Sequence, residues 1–322
     1  SFHWGALKGW AMSTPLADFD TGHCGPILDA QLDGYGHYLA TASADGHIRI
    51  WDVRKPEEPH FVTDLGGHAG TVHQVAWAPA ETGAGALLAS AGADGRVIMW
   101  GPGRQSASWH SINEESLGHG AVRALSWAPP ELGAVLACAS ADGSLSTIVY
   151  QGIVRSGEST VEHRWQSQSF EAHKGQANAV SWAAVQVRPT AVGSLAGARM
   201  ASAGDDGVKI WHRDDVQGRW IEENKDAPAN LQAVTRDVAW KPLPEVAETL
   251  ASVSGRQVAL WRREKSGDKW KVVQRVDLQE EIWKLEWTDV GSQLLVTCGQ
   301  EQRALLLKQQ LSGEWDIVEL GE

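Results

Sequence analysis

The stretch that decides the fold is residues 39–51, which read LATASADGHIRIW and recur at residues 88–100 as LASAGADGRVIMW. Each copy contains a short β-rich segment, an Asp-Gly pair and an alternating segment that ends in tryptophan. Glycine tolerates the positive φ of a tight two-residue turn, so each copy predicts a β-hairpin. The sequence therefore predicts a repeated β-unit, and related blocks occupy residues 136–148, 200–211, 250–261 and 295–307.

A second series of tryptophans precedes these blocks and accounts for part of the 17 tryptophans in the chain. Its members are Trp77, Trp127, Trp182, Trp240 and Trp287. The repeat spacing of about 50 residues resembles the WD-repeat family, whose four-stranded blades usually span ~40–45 residues. No segment shows a sustained helical period. We therefore predict an all-β chain folded as a six-bladed WD-repeat β-propeller.

The repeats assign the chain to one propeller rather than two domains. The propeller is predicted to span residues 14–322, and residues 1–13 are left as an N-terminal extension. The blades are expected at about residues 22–66, 67–117, 118–171, 172–226, 227–277 and 278–322.

Composition excludes several classes of function. The formal net charge of −12 argues against direct binding to nucleic acid, which needs clustered Lys and Arg. No apolar run approaches the ~20 residues of a membrane-spanning helix, so direct membrane insertion is not expected. The three dispersed cysteines form no disulfide framework or metal spacing, and the first ten residues lack the features of a signal peptide. We expect a cytosolic chain.

The WD-repeat resemblance implies a role for the recurring polar residues. In that family a His, a Ser or Thr, an Asp and a Trp form a buried hydrogen-bonded tetrad in each blade. Counting back from Trp211 gives Asp205 as the blade-four carboxylate, whereas counting forward from Ser202 gives Asp206; we assign Asp205. Blade six keeps only Thr297 at the hydroxyl position. The implied tetrad residues are His23, Thr41, Asp45 and Trp51 in blade one, His68, Ser90, Asp94 and Trp100 in blade two, His119 and Asp142 in blade three, and His173, Ser202, Asp205 and Trp211 in blade four.

A repeated Ser/His/Asp set also invites interpretation as a hydrolase. A nucleophile needs one exposed site with a positioned base and an oxyanion hole, not several copies at blade spacing. Buried hydroxyl, imidazole and carboxylate groups instead satisfy one another's hydrogen bonds. We therefore expect no catalytic residue, no metal site and no cofactor, and a protein that is not an enzyme.

The strand count bears on how the ring closes. Propellers usually complete the last blade with a strand from the other terminus, but residues 313–320 already give blade six its own outer strand. Residues 14–19 are left over as a possible lone strand. Six blades could close face to face, or the ring could stay open and accept a seventh blade from a partner. We favour the open ring, because exposed apolar blade faces imply a binding surface.

Further segments carry a more specific resemblance, including residues 29–36 (DAQLDGYG), residues 234–240 (VTRDVAW) and the long segment 183–199. Together they resemble the small outer-coat propellers of the COPII vesicle coat, which also serve as scaffold nucleoporins. Those propellers also lack the tetrad tryptophan in blade three, which agrees with Ile148 at that position here. The resemblance covers about residues 22–320, whereas residues 1–11 match nothing in the family.

The resemblance implies a scaffold in an open ring that a partner completes in trans. The implied partners are the large helical-solenoid outer-coat subunit of COPII, a scaffold nucleoporin of the Y-shaped complex and a nutrient-signalling coat-like complex. The implied locations are the cytoplasmic face of ER exit sites and COPII vesicles, the nuclear pore complex and the cytosol. The alternative is a WD-repeat peptide reader or adaptor, which needs a closed ring. From the topology we predict partner-blade contacts at Ile27, Leu28, Ala30, Leu32, Ile282, Trp283 and Leu285.

Overall fold

Each described strand pairs with its neighbours in sequence within a four-stranded sheet. The computed structural model describes residues 19–82, 86–103, 108–118, 120–156, 160–185, 195–214, 216–223, 234–242, 247–265, 267–288, 291–298, 304–310 and 312–319. Within these ranges the strands form six four-stranded antiparallel sheets, each built from four consecutive strands. The prediction of an all-β, six-bladed propeller is confirmed.

The first three blades have the following strands. Blade one contains β1 (Ile27–Leu32), β2 (Tyr38–Ser43), β3 (His47–Asp52) and β4 (His60–Gly66). Blade two contains β5 (Val72–Trp77), β6 (Leu88–Gly92), β7 (Arg96–Pro102) and β8 (Trp109–Ser116). Blade three contains β9 (Val122–Trp127), β10 (Val135–Ser140), β11 (Ser144–Ser156) and β12 (Thr160–Glu171).

The last three blades follow the same order. Blade four contains β13 (Ala177–Trp182), β14 (Arg199–Gly204), β15 (Gly207–Asp214) and β16 (Arg219–Glu222). Blade five contains β17 (Asp237–Trp240), β18 (Glu248–Ser254), β19 (Gln257–Arg263) and β20 (Lys271–Asp277). Blade six contains β21 (Ile282–Trp287), β22 (Gln293–Cys298), β23 (Ala304–Gln309) and β24 (Trp315–Glu319). The first strand of each blade contacts the first strand of the next, and we call these the inner strands.

The Asp-Gly turns join each blade to the next as well as turning the chain. Gly95 has φ +74°, and a Cβ there would lie 2.9 Å from the carbonyl oxygen of Gly118, which precedes blade three. Gly143 has φ +87°, and a Cβ there would collide with the carbonyl oxygen of Gly175. Only glycine meets both the backbone and the space requirement at these turns. The repeated Asp-Gly signal therefore reflects blade packing too.

Indole groups tie neighbouring inner strands together. Trp77 Nε1 donates to the carbonyl oxygen of Gln31 at 2.9 Å. The same bond recurs at 2.9 Å from Trp127 to Ala76, from Trp182 to Ser126 and from Trp287 to Ala239. Blade four meets blade five through the Trp240 backbone N–H, which donates to Ser181 Oγ at 2.9 Å. The first-strand tryptophans predicted from the repeat therefore act as hydrogen-bond donors between blades.

Blade one lacks this donor. Its inner strand ends in Leu32, which occupies the position of Trp77 in blade two. Buried apolar clusters join every consecutive pair of blades from one to six. Within the described part of the chain, none of these clusters contains residues of both blade six and blade one. The ring is open at this junction, which we call the seam.

The N-terminal segment contributes one described contact near the seam. The predicted extension of residues 1–13 and residues 14–18 of the left-over segment lie outside the described residues. Phe19 is described, and its ring centroid lies 4.8 Å from that of Trp51 in blade one.

Replacing Trp287 with phenylalanine should remove one bond of the indole series. The Ala239 carbonyl would remain buried without its donor, so we expect the free energy of unfolding to fall by about 1–3 kcal/mol. Urea denaturation followed by circular dichroism measures the loss. Trp283→Phe is the matched control, because Trp283 is 58% exposed and should change stability by less than ~0.5 kcal/mol. Equal effects of the two substitutions would contradict the bonding role.

Candidate functional site

The tetrad of blade two is a continuous hydrogen-bonded chain. Trp100 Nε1 donates to Ser90 Oγ at 2.9 Å, and His68 Nε2 lies 2.8 Å from that oxygen. His68 Nδ1 donates to Asp94 Oδ1 at 3.0 Å. Burial lowers the pKa of His68 against the raising effect of Asp94, so the imidazole is neutral. Burial also raises the pKa of Asp94, but hydrogen bonds from Ala69 and His68 outweigh it and hold that pKa at about 2.

Blade four has the same chain, but with a different carboxylate from the one we assigned. His173 Nδ1 donates to Asp206, not Asp205, and His173 Nε2 lies 2.7 Å from Ser202 Oγ. Trp211 Nε1 donates to the same hydroxyl at 2.9 Å. Asp205 instead accepts the backbone N–H of Gln176 at 2.9 Å. The assignment of Asp205 is wrong.

The physical reason is the length of the blade-four hairpin. Gly204 pairs with Gly207, which leaves only two residues in the turn. The third strand therefore reaches its tryptophan one residue sooner after the turn aspartate than blade two does. A count back from Trp211 crosses the shortened segment and therefore lands one residue too early, on Asp205. A count forward along the second strand from Ser202 does not cross it and gives the correct residue, Asp206.

Blade one departs from the full tetrad at its tryptophan. His23 Nδ1 lies 2.9 Å from Asp45 Oδ2, and His23 Nε2 lies 3.0 Å from Thr41 Oγ1. The buried Trp51 Nε1 has no hydrogen-bond partner among the described residues. The Trp51 ring instead packs against Phe19 and Phe61, with centroids 4.8 and 5.4 Å away.

The tetrad is incomplete in blades three and six. His119 lies outside the described residues, and Asp142 accepts the backbone N–H of Ser144 at 2.9 Å. In blade six the assignment of Thr297 to the hydroxyl position is wrong. Leu294 pairs with Trp287, so the position equivalent to Ser90 is Val296 and Thr297 points to the opposite face. A register shift of one residue moves every side chain to the other face of a sheet.

The tetrads lie inside the ring, between neighbouring blades. The imidazoles of His23, His68 and His173 are at most 1% exposed. No group of three or more His, Cys, Asp or Glu side chains in the described ranges is placed to hold a metal ion. Over the same ranges, no helix is long and apolar enough to cross a membrane. The candidate surface for function is the seam, where no described apolar cluster joins blade six to blade one.

The seam side of blade one follows from its equivalence to blade two. Blade two turns Leu88, Ile98 and Trp100 towards blade one. The matching side of blade one carries Leu39, paired with Trp51, and Leu32, paired with Leu39. Leu32 and Leu39 are partly exposed, and Phe61, paired with Trp51 in the outer strand, is 55% exposed. The position of Ile98 is taken by Arg49, which pairs with Asp64 at 3.1 Å. This face therefore combines apolar positions with one ion pair, and part of its surface is open to solvent.

The seam side of blade six is the face that turns away from blade five. Leu294 and Leu307, which pair with each other, are buried in the cluster shared with blade five. The alternate residues Leu295, Leu306 and Val318 share the opposite face, because Leu295 pairs with Leu306 and Leu306 pairs with Val318. Leu306 is partly exposed and Val318 is 39% exposed. Blade six therefore presents a second apolar stripe to the seam.

The predicted contacts on blade one lie at or beside the seam. Ala30 pairs with Thr41 and Leu32 pairs with Leu39, which places both on the seam face. Ile27 is partly exposed at the start of β1, and Leu28 is 46% exposed.

Two of the predicted contacts on blade six are wrong. Ile282 and Leu285 are 0% and 5% exposed, and both lie in the cluster shared with blade five. Trp283 is 58% exposed, at a bulge between Ile282 and Lys284. The residues of blade six that the structure places on the seam face include Leu306 and Val318, which the sequence analysis did not name. The alternation along β23 was the available signal, but its phase depends on the register with β22.

An ion pair crosses the seam at the inner strands. Lys284 Nζ lies 2.7 Å from Asp29 Oδ1, and the two side chains are 33% and 5% exposed. Asp29 Oδ2 also accepts the backbone N–H of Val75 at 3.1 Å. Burial lowers the pKa of Lys284, but the nearby carboxylates of Asp29 and Glu286 outweigh it and raise that pKa. The seam is therefore charged at its inner end and has exposed apolar positions on both of its faces.

Comparison with known proteins agrees with this architecture. The model of the WD domain, G-beta repeat, matches residues 13–52 and 59–101. The chain is 32% identical over 352 residues to the protein transport protein SEC13 of Cryptococcus neoformans var. neoformans serotype D, covering 98% of both chains. It is 34% identical over 315 residues to the SEC13 homolog of Drosophila melanogaster, covering 94% of this chain and 83% of the relative. It is 35% identical over 302 residues to the SEC13 protein of Scheffersomyces stipitis, covering 90% and 94%.

The fold and the repeated tetrads define a WD-repeat β-propeller. Within that class, the near-full-length similarity shows that the chain belongs to the SEC13 family.

Substitution of the two turn aspartates of blade four tests the corrected tetrad. Asp206→Ala would leave the buried His173 without its carboxylate, so we expect the free energy of unfolding to fall by about 1–3 kcal/mol. Asp205→Ala removes an acceptor for a backbone N–H and should cost less. Denaturant titration of both variants measures the difference, and a larger loss for Asp205→Ala would restore the original assignment.

The buried histidines should make stability depend on pH below neutrality. Burial lowers the pKa of His173, so the unfolded chain, with a histidine pKa of about 6.5, binds a proton that the folded chain does not. The stability that comes from keeping His173 neutral is fully present above pH ~6.5. As the pH falls from there towards the pKa of His173 in the folded chain, the free energy of unfolding decreases by at most ~1.4 kcal/mol per pH unit for one histidine. His173→Gln should reduce the slope of unfolding free energy between pH 6.5 and 5.5. An unchanged slope would argue against a neutral His173.

Proposed function

We propose that this chain is a non-enzymatic scaffold subunit of coat assemblies, and that a partner completes its ring by inserting a blade into the seam. One observation carries the proposal. The described apolar clusters join all consecutive blades but do not cross from blade six to blade one. Every other blade-to-blade junction excludes water from an apolar interface.

An inserted blade would meet two suitable surfaces. One is the face of Leu32, Leu39 and Phe61 on blade one, and the other is the face of Leu306 and Val318 on blade six. Burying both faces of one partner element gives the large, apolar interface typical of permanent complexes. A peptide reader of the closed-ring type does not account for these two faces.

The family suggests which partner this is. The relatives carry the name protein transport protein SEC13, and the proposed role is the outer cage of COPII vesicles in ER-to-Golgi transport. The proposed partner is the large helical-solenoid outer-coat subunit of COPII, met at the cytoplasmic face of ER exit sites and vesicles. The same seam would serve a scaffold nucleoporin of the Y-shaped complex at the nuclear pore, and a nutrient-signalling coat-like complex.

A charge placed on the blade-six stripe tests the proposal. Leu306→Asp would bury a carboxylate against the inserted blade, so we expect affinity for the purified large COPII outer-coat subunit to fall at least about tenfold. Binding is measured by calorimetry on the full chain. Val273→Asp is the control, because Val273 is 56% exposed on the outer strand of blade five.

Two results would contradict the proposal. Equal binding by the two variants would mean that the partner does not use the seam. Absence of binding by the wild-type chain, with many sub-stoichiometric short-motif partners in its place, would favour the peptide reader.

A further inference from the structure

One position of the inner strands links blades one, two and five to the blade that follows each of them. It lies three residues before the last residue of the strand, and in blades three and four it is occupied by Ala124 and Ala179, which offer no side-chain acceptor. Asp29 Oδ2 accepts the backbone N–H of Val75 at 3.1 Å, and Gln74 Oε1 accepts that of Leu125 at 2.6 Å. Asp237 Oδ2 accepts the N–H of Leu285 at 2.6 Å. At these three junctions the preceding blade offers an acceptor to the strand that follows it.

In blade six this position carries a hydrogen-bond donor instead of an acceptor. Its equivalent residue, three before Trp287, is Lys284. An ammonium group donates hydrogen bonds and accepts none, so Lys284 cannot receive the backbone N–H of a following strand. Whatever follows blade six around the ring must therefore offer an acceptor. Within the chain itself that acceptor is Asp29, 2.7 Å away across the seam.

The neighbouring inner-strand position also changes its chemistry at the seam. The side chains at this position in blades two to five are polar, namely His73, Arg123, Asn178 and Arg236. In the two blades that border the seam the residues are Leu28 and Trp283, which are 46% and 58% exposed. Large apolar side chains are therefore exposed at this position on both borders of the seam.

We propose that the inner strand of the inserted blade carries a carboxylate that replaces Asp29 on Lys284, beside an apolar side chain that covers Leu28 and Trp283. This inference rests on the proposed function and specifies the chemistry of its partner. A strand seated between β21 and β1 separates Asp29 from Lys284. The ammonium, which is only 33% exposed, then keeps the electrostatic attraction of Glu286 and Asp237 but loses its hydrogen-bonded carboxylate, a place that an acidic side chain of the inserted strand can take. Asp29 in the free chain occupies the place of that partner and competes with it.

Two substitutions with opposite expected effects test the proposal. Lys284→Gln removes the charge and should weaken binding of the purified large COPII outer-coat subunit on the order of tenfold. Asp29→Asn keeps an oxygen for the Val75 N–H but removes the competing charge, so it should strengthen binding severalfold. Lys271→Gln is the matched control, because Lys271 is exposed on the outer strand of blade five. Circular dichroism and thermal unfolding establish that each variant is folded.

A charge exchange identifies the partner's residue. Lys284→Glu should lose binding, and reversing the matching acidic residue of the partner's blade to lysine should restore it. Lys284→Arg keeps the charge and should bind as the wild type does.

The outcomes separate this inference from the proposed function. If the wild type binds the partner and Lys284→Gln binds equally well, the inference is overturned and the proposed function stands. If Asp29→Asn and Lys284→Gln weaken binding alike, the ion pair only maintains the shape of the seam, which also overturns the inference. If the wild type does not bind the partner, the result contradicts both this inference and the proposed function. Self-association that is lost in Lys284→Gln would identify a second copy of this chain as the occupant instead.

Discussion

The structure depends on the requirement that each blade bury apolar side chains on both of its faces. A four-stranded sheet with two apolar faces is stabilised by each neighbouring blade that covers one of them, and each buried Leu, Val or Ile contributes about 1.5–3 kcal/mol. Indole donors such as Trp77 and Trp127 satisfy inner-strand carbonyls at the junctions, where water is excluded. A ring of six blades that does not close leaves one face of blade one and one face of blade six without a neighbouring blade. These two uncovered faces are the basis of the proposed function.

Polar groups hold the blades together in two different ways along the chain. Blades two and four use His-centred tetrads, and blade one uses the His23, Thr41 and Asp45 part of one. Among the described residues, blade five keeps the bond from Trp261 Nε1 to Ser252 Oγ, at 2.8 Å. Between blades four and five, four charged side chains form ion pairs that take the place of the missing tetrad bonds. Arg199 and Arg263 both pair with Glu223 and Glu248, and all four are at most 16% exposed. The loss of tetrads towards the C-terminus therefore does not leave this junction without polar contacts.

The fold could be predicted from sequence because its signals are local. An Asp-Gly hairpin and a strand-ending tryptophan recur at a fixed spacing, and both have direct structural causes. The errors arose where a single residue of register mattered. The sequence predicts Asp205 in place of Asp206 because the blade-four turn is one residue shorter than that of blade two, and it predicts Thr297 in place of Val296 because β22 aligns one residue differently. Turn length and strand register are set by pairing in space, which a repeat count does not measure.

The same limit explains the mixed outcome at the seam. Ala30 and Leu32 were predicted to lie there and face it, because blade one keeps the common register. Ile282 and Leu285 were assigned to the wrong face, since either face of blade six is apolar and composition does not distinguish them.

The charged pair at the inner end of the seam explains how an exposed, partly apolar surface can still select the partner proposed to bind it. A wholly apolar gap would favour association with any apolar surface, and large exposed apolar patches are uncommon on free proteins. The Lys284–Asp29 pair places charge at the inner end, where a strand without an acceptor would leave an ammonium unpaired. Such a strand is disfavoured by the cost of an uncompensated buried charge. The apolar faces would then supply most of the affinity, and the ion pair would supply the selection of the blade that belongs there.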